Sequence, residues 1–176
     1  MLDRIWAPWR AQYIRESAQE DGNSSCFFCH GLNGVDDRGN LLAWRRPHSV
    51  VVLNRFPYNN GHLLVAPRVH QGRIDDLSGP DLFEPIETVR RMVGILDRML
   101  RPQGYNIGLN MGKAAGAGLP GHLHWHVVPR WDGDTNFMPV LGQTKVLVES
   151  LHEFYDRLVE EIRVEDDSTP PGILTS

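Results

Sequence analysis

The sequence predicts an α+β domain with an antiparallel β-sheet of about five strands, one long helix packed on it, and a C-terminal helix. Three observations carry this prediction. Short runs rich in β-branched and aliphatic residues, separated by Pro, Gly and Asn, occupy residues 41–67 and return at 105–128. One stretch, Pro80 to Leu100, repeats apolar residues at three- and four-residue spacings. A third stretch, His122-Leu123-His124-Trp125-His126-Val127-Val128, closed by Pro129, alternates histidine with apolar residues, the period of a strand. Strands gathered in the middle of a chain, with helices segregated from them, define the α+β class.

A chain of 176 residues holds one domain with a real core and would crowd two. The formal net charge of −4 is mild and disfavours a nucleic-acid coat or an anionic-membrane binder, so neither partner is expected. No apolar run approaches membrane-spanning length, and Met1-Leu-Asp-Arg-Ile-Trp6 lacks the apolar stretch of a signal peptide, so the expected compartment is the cytoplasm. The only two cysteines, Cys26 and Cys29, form a Cys-x-x-Cys, which in that compartment means metal or redox chemistry before a structural disulfide.

Residues 1–15 mix Trp6, Trp9 and Tyr13 with Arg4, Arg10 and Arg15. An arm of this composition is expected to pack its rings on its own domain or on a second copy, with a substrate role for Arg10 as the minor alternative. Residues 16–25 read as loop. Cys26-Phe-Phe-Cys29-His30 follows, and a Gly-, Asn- and Asp-rich connection runs from Gly31 to Asn40. Redox Cys-x-x-Cys pairs lie at a helix start after a strand, and polar loops on both sides weaken that reading.

Leu41–Trp44 and His48–Asn54 are expected strands, and His62–Pro67 is a third, ended by its proline. Arg55-Phe-Pro-Tyr-Asn-Asn-Gly61 is the long tip of the hairpin between the last two. In the long helix, Leu82, Ile86, Val89, Val93, Leu96 and Leu100 are the expected core stripe, with Arg90, Arg91, Asp97 and Arg98 on a solvated face. Arg101-Pro-Gln-Gly104 stops it. Tyr105–Asn110 is a strand that leads into the glycine-dense Met111–Gly121. That loop's backbone amides can approach a phosphate closely, although the Gly-Lys-Ser/Thr ending of a P-loop is absent. Asp132–Asn136 is polar, a helix is expected from about Thr144 to Ile162, and Arg163 to Ser176 reads as a frayed tail.

On an extended strand His122, His124 and His126 share one face, and Leu123, Trp125 and Val127 share the core face. A helix would pair His122 with His126 but turn His124 away, and Val-Val-Pro suits a strand end better. Taken alone, the three imidazoles fit a metal site, a catalytic site or coincidence. Burial of all three without partners is a poor explanation.

The combination of His-φ-His-φ-His-φ-φ, Asn54 at a strand end, Gly61-His62-φ-φ-φ-x-Pro67 and a Gly-rich loop before the histidines resembles the histidine-triad (HIT) superfamily. Trp6-Ala-Pro-Trp9-Arg10, Asn54–Gly61 and Trp131–Asn136 resemble, within it, the bacterial diadenosine-tetraphosphate (Ap4A) phosphorylase-like members. The resemblance implies an arm at 1–25, a HIT domain at 26–140 and a C-terminal helix and tail at 141–176. It implies an enzyme in which His124 attacks the α-phosphorus of a nucleotide and forms a nucleotidyl-imidazole intermediate that water or phosphate resolves. Catalytic roles fall on His122, His124 and His126, with His126 contacting the phosphate or bridging oxygen. Substrate-binding roles fall on Asn54 (ribose), His62 and Asn110. Many members place Gln or Ser a few residues before the triad; here Gly118-Leu119-Pro120-Gly121 stands there, so backbone amides at Gly118 or the side chain of Lys113 must serve, or the leaving group differs. Asn136 and Lys145 are further candidates for distal phosphates, with a solvated lysine the plainer reading.

The resemblance also implies a homodimer and a structural zinc, with no organic cofactor. Read onto this chain, the zinc ligands are Cys26, Cys29, His48 and His122. Three functions follow: cleavage of dinucleoside polyphosphates, a purine nucleoside phosphoramidase using the same nucleophile, or a nucleotide-binding or zinc-dependent protein without covalent catalysis.

Overall fold

The computed structural model describes residues 26–134 and 149–168; Trp6, Trp9, Arg10, Tyr13, Asn136 and Lys145 lie outside them. Five strands, β1 (Leu42–Arg45), β2 (Ser49–Leu53), β3 (Leu63–Pro67), β4 (Gly104–Leu109) and β5 (Trp125–Arg130), form one antiparallel sheet in the order β1-β2-β3-β5-β4. Helix α1 (Phe27–Asn33) precedes the sheet, α2 (Gly79–Leu100) crosses from β3 to β4, and α3 (Leu151–Ser168) closes the described chain. The α+β expectation holds, with five strands as the sequence predicts. Among the described residues no helix is long and apolar enough to cross a membrane.

The hairpin of β2 and β3 is the sheet's centre of gravity. Val50–Leu53 and Leu63–Ala66 are buried on both faces, and their register runs from Ser49↔Pro67 to Leu53↔Leu63. Pro67 then ends the ladder on the side of β5, where the pairs are Leu63↔Val127, Leu64↔His126 and Val65↔Trp125. Two residues further along that register would set Pro67 opposite Leu123, and proline has no N–H to offer. The expected histidine strand is therefore shorter at its start: His122, at a bend, and Leu123 and His124 lie outside β5. At its other end β5 passes through Pro129 to Arg130, because there it pairs only with β4, through Tyr105↔Pro129 and Gly104↔Arg130. Leu123, Trp125 and Val127 are buried as the alternation requires.

Helix α2 starts after Ser78, with Pro80 and Asp81 in its first turn, and stops at Arg101, which adopts a left-handed φ of 47° before Pro102. Its buried stripe is Pro85, Thr88, Val89, Met92, Ile95 and Leu96. This corrects the expected stripe, of which Val89 and Leu96 are buried and Ile86 stands half exposed beside Phe83. The helix carries two apolar stripes, and the sheet takes the one centred on Met92. The solvated face also needs correcting, since Arg91 is tucked in, its guanidinium 4.6 Å from the Trp44 ring centroid and 3.0 Å from Asp166.

Helix α3 opens with a capping box: the Glu153 N–H donates to Ser150 Oγ at 3.2 Å, and the Ser150 N–H donates to Glu153 Oε2 at 3.2 Å. Phe154, Leu158 and Ile162 bury its inner face. The expected fraying after Ile162 does not occur within the described residues. Arg91 to Asp166 and Arg98 to Glu165 tie the last turns to α2, and the helix reaches Ser168.

Helix α1 is absent from the sequence expectation, because seven residues containing Gly31 and Asn33 have little helical propensity. A distant residue completes it. Arg45, on β1, donates to the carbonyls of Gly31, Leu32 and Gly34 and pairs with Asp37 at 2.7 Å, satisfying the helix's orphan C-terminal acceptors.

Candidate active site and metal centre

The approach to β5 turns on His122. Its ring is fully buried; Nε2 donates to the carbonyl of Pro67 at 2.8 Å, an acceptor available because the ladder has ended there. That bond places the proton on Nε2 and leaves Nδ1 as a lone pair. Nδ1 lies 3.2 Å from Cys26 Sγ and 3.7 Å from Cys29 Sγ, and Cys29 Sγ lies 3.3 Å from His70 Nδ1. The four ligand atoms of Cys26, Cys29, His70 and His122 all lie within 4.8 Å of one another. A tetrahedral zinc with bonds of about 2.3 Å to sulfur and about 2.0 Å to nitrogen has ligand-to-ligand edges of roughly 3.4 to 3.8 Å, close to the separations found here.

Charge and burial suit a cation in this cluster. Burial holds His122 near a pKa of about 4, with the Pro67 hydrogen bond opposing, so the imidazole is neutral and able to ligate. Burial, reinforced by the neighbouring Cys26, raises the Cys29 thiol to about 11, so only a cation would make two thiolates comfortable side by side. The Nε2–H to Pro67 contact is the outer hydrogen bond that orients a metal-ligating histidine.

His70 is the member of this cluster that sequence reasoning missed, and the predicted ligand His48 lies outside it. His48 Nδ1 faces Asp81 Oδ1 at 2.8 Å and its backbone N–H donates to Glu84, so it anchors the start of β2 to α2 away from the cysteines. His70 lies three residues beyond the end of β3. The loop brings it back because Leu123 N–H donates to Gln71 O at 2.7 Å and Gly72 lies against the Pro120 carbonyl so closely that a side chain there would clash. The one available signal was a histidine placed just after the proline that ends the His62 strand, in Pro67-Arg-Val-His70. The objection to a redox pair also loses part of its basis, since Cys26 does cap a helix, although no strand among the described residues precedes it.

His124 and His126 are held differently. His124, nearly buried, donates from Nδ1 to the carbonyl of His122 at 2.8 Å, which leaves the lone pair on its Nε2. Burial pushes its pKa below the ordinary imidazole value, against that hydrogen bond, so the ring is neutral near pH 7. His126 is set through His62. The Tyr58 N–H donates to His62 Nδ1 at 3.0 Å, and Asn54 Nδ2 approaches the same nitrogen at 3.2 Å, so His62 carries its proton on Nε2. That proton is donated to His126 Nδ1 at 2.9 Å, which puts the His126 proton on Nε2. The two rings sit 5.0 Å apart with opposite tautomers, a lone pair on one and an N–H on the other. Removing the intermediary as His62→Leu is expected to lower kcat by about 10²-fold with KM little changed, in steady-state kinetics, because a proton donor loses its orientation.

The remaining predicted substrate residues fall at the hairpin tip, at the end of β4 and in the loop that follows it. Asn54 closes β2, with Oδ1 accepting from the Phe56 N–H at 2.9 Å and Nδ2 against His62, so in this conformation its side chain builds the hairpin tip. Asn110 follows the Leu109↔Trp125 pair, at the end of β4 nearest His124. Lys113 opens an exposed 3₁₀ turn (Lys113–Ala115), and Gly118 is half-buried in the loop that follows. The amides of Ala115 and Ala117 donate to Gly112 O and that of Gly116 to Lys113 O, which narrows the loop's phosphate donors toward Gly118 and its neighbours. A three-histidine metal site is not formed: among the described residues the metal-type cluster takes only His122 from the triad.

His124, just ahead of β5, presents an unprotonated imidazole nitrogen beside the Nε2–H of His126 on β5, on a sheet backed by a long helix. The HIT domain profile matches residues 41–133, and the chain belongs to the HIT family. It is 36% identical over 156 residues to the "AP-4-A phosphorylase" of Mycobacterium tuberculosis, covering 86% of this chain and 80% of that protein. It is 30% identical over 96 residues to the asymmetrical bis(5'-nucleosyl)-tetraphosphatase of Schizosaccharomyces pombe, covering 54% of this chain and 52% of that protein. Among solved structures, a zinc-bound histidine triad family protein from Mycobacterium smegmatis superposes with a TM-score of 0.66 at 24% identity, over 84% of this chain and all of that one.

Proposed function

We infer that the protein cleaves dinucleoside polyphosphates of the Ap4A type at the α-phosphate. His124 Nε2 forms a bond to the α-phosphorus as the bridging P–O bond breaks, and the Nε2–H of His126 donates a hydrogen bond to the bridging oxygen, stabilising the charge on the departing nucleoside polyphosphate. Phosphate or water then displaces His124, so Ap4A yields ATP in the first half and ADP or AMP in the second. The observation that carries the reading is the pair of opposite tautomers on adjacent rings, each held by its own hydrogen-bond partner. The 36% identity to a protein named for Ap4A phosphorolysis supports the substrate class.

Asn54, Asn110, Gly118 and Lys113 serve the ribose and phosphates in this reading. A structural zinc, bound by Cys26, Cys29, His70 and His122, closes all four positions with protein donors, which suits a structural and not a catalytic metal. The HIT domain spans 26–140, between an arm at 1–25 and the C-terminal helix and tail at 141–176. The protein acts as a homodimer in the cytoplasm, and the dimer is supported by β4, which has no partner strand on its outer side among the described residues, and by the exposed Phe83 and Ile86 on α2.

The test is incubation with Ap4A with and without inorganic phosphate. ADP plus ATP appearing only with phosphate is the expected product set. ATP plus AMP under both conditions would make water the acceptor, and turnover of an adenosine phosphoramidate in preference to Ap4A would replace this reading with a phosphoramidase.

A further inference from the structure

We propose that the Cys26, Cys29, His70 and His122 cluster is a positioning device for His124, acting through the His122 carbonyl and the Phe28 ring, while His126 is set independently from the opposite side. The inference rests on the metal site and nucleophile proposed above, and adds Phe28 as a positioning residue. Both cysteines and Phe28 belong to the first turn of α1. Phe28 is fully buried, its centroid 4.9 Å from that of His122 and 5.4 Å from that of His124, so the turn that carries the thiols also backs the nucleophile.

His122 is the second link. Its Nδ1 faces the thiols, its Nε2–H is fixed on Pro67, and its carbonyl is the acceptor that dictates the His124 tautomer. The third link is the His70 loop, joined to the triad approach by Leu123 N–H to Gln71 O. A bound metal draws these three segments to one point, and the chain from that point to His124 is one residue long. His126 takes its tautomer from the Tyr58 amide through His62, on the tip between β2 and β3, which shares none of these links. The two rings therefore answer to different anchors, and loss of the metal is expected to release one of them.

The experiment uses the full chain labelled with ¹⁵N-histidine and loaded with zinc, read by long-range ¹H–¹⁵N correlation of the imidazoles. His124 is expected to read as Nδ1–H and His126 as Nε2–H. Replacing zinc with ¹¹³Cd, which keeps the fold while lengthening the metal bonds, is expected to shift the His124 ring signals and leave those of His126 in place. Coupling of ¹¹³Cd to Nδ1 of His70 and His122 reports the metal's position. In the zinc-loaded protein, Phe28→Leu is expected to broaden the His124 signature and lower kcat about 10-fold to 100-fold with KM retained. Cadmium coupling present with an unmoved His124, or with His124 and His126 moving equally, overturns the positioning role alone. Absence of coupling to His122 overturns the metal site and this inference together. An intact metal-dependent His124 tautomer in a protein that turns over no nucleotide leaves the positioning role standing and removes the proposed reaction.

Discussion

Replacing His124 with Gly is expected to abolish turnover while nucleotide binding persists. The reasoning is local. Among the triad residues only His124 combines a nearly buried, neutral ring with a proton fixed on the far nitrogen, so only it presents a lone pair on a ring that is not a metal ligand. Deleting a nucleophile that works as part of a unit typically costs about 10⁴-fold or more in kcat, far beyond the effect of a misplaced neighbour. Rapid quenching of the wild-type protein with Ap4A should trap a nucleotidyl adduct that the variant lacks, visible as a mass increase. Added imidazole, which supplies the missing ring in solution, should partly restore the His124→Gly protein. Wild-type rates in that variant would sink the covalent mechanism.

Cys26→Ser is expected to lower zinc content and stability together, by about 3 kcal/mol at metal concentrations about a hundredfold above Kd. Cys26 is almost completely buried and its Sγ is the thiol nearest His122 Nδ1, so the substitution removes a ligand without an exposed side chain to compensate. Denaturant unfolding with metal analysis measures both quantities. His70→Ala should behave like Cys26→Ser, whereas His48→Ala should keep its zinc, because His48 faces Asp81. An equally stable, fully active Cys26→Ser protein that never held metal would remove the site.

Much of the fold was legible because the signals were local. β2 and β3 are uninterrupted apolar runs bounded by turn residues, and α2 has the helical period over 22 residues. What escaped depended on distant partners. The short helix α1 exists because Arg45, eleven to fourteen residues on, occupies its carbonyls. The stripe on α2 rotated because periodicity reports that a face is apolar, not which of two apolar faces meets the sheet. His124 and His126 could be singled out by spacing, but the histidine completing the metal cluster could not. His48 precedes a strand and His70 follows one, and the Leu123 to Gln71 hydrogen bond with the close approach of Gly72 to Pro120 decides which reaches the cysteines. Asn54 shows the same limit: its position at a strand end was readable, its use in building the tip around His62 was not.

The Arg45 clamp gives α1 two ends governed by different chemistry. Its C-terminal end hangs on a partly exposed guanidinium paired with Asp37, an attachment that dissolved salt weakens. Its N-terminal end carries the two thiols, which in the proposed metal site answer to chelators and not to salt. The helix is thus held at Arg45 by one kind of bond and at the thiols by another. A protease digesting the metal-stripped protein should find new cut sites ahead of Phe28 and none around Gly34, and raising the ionic strength of the metal-loaded protein should do the opposite.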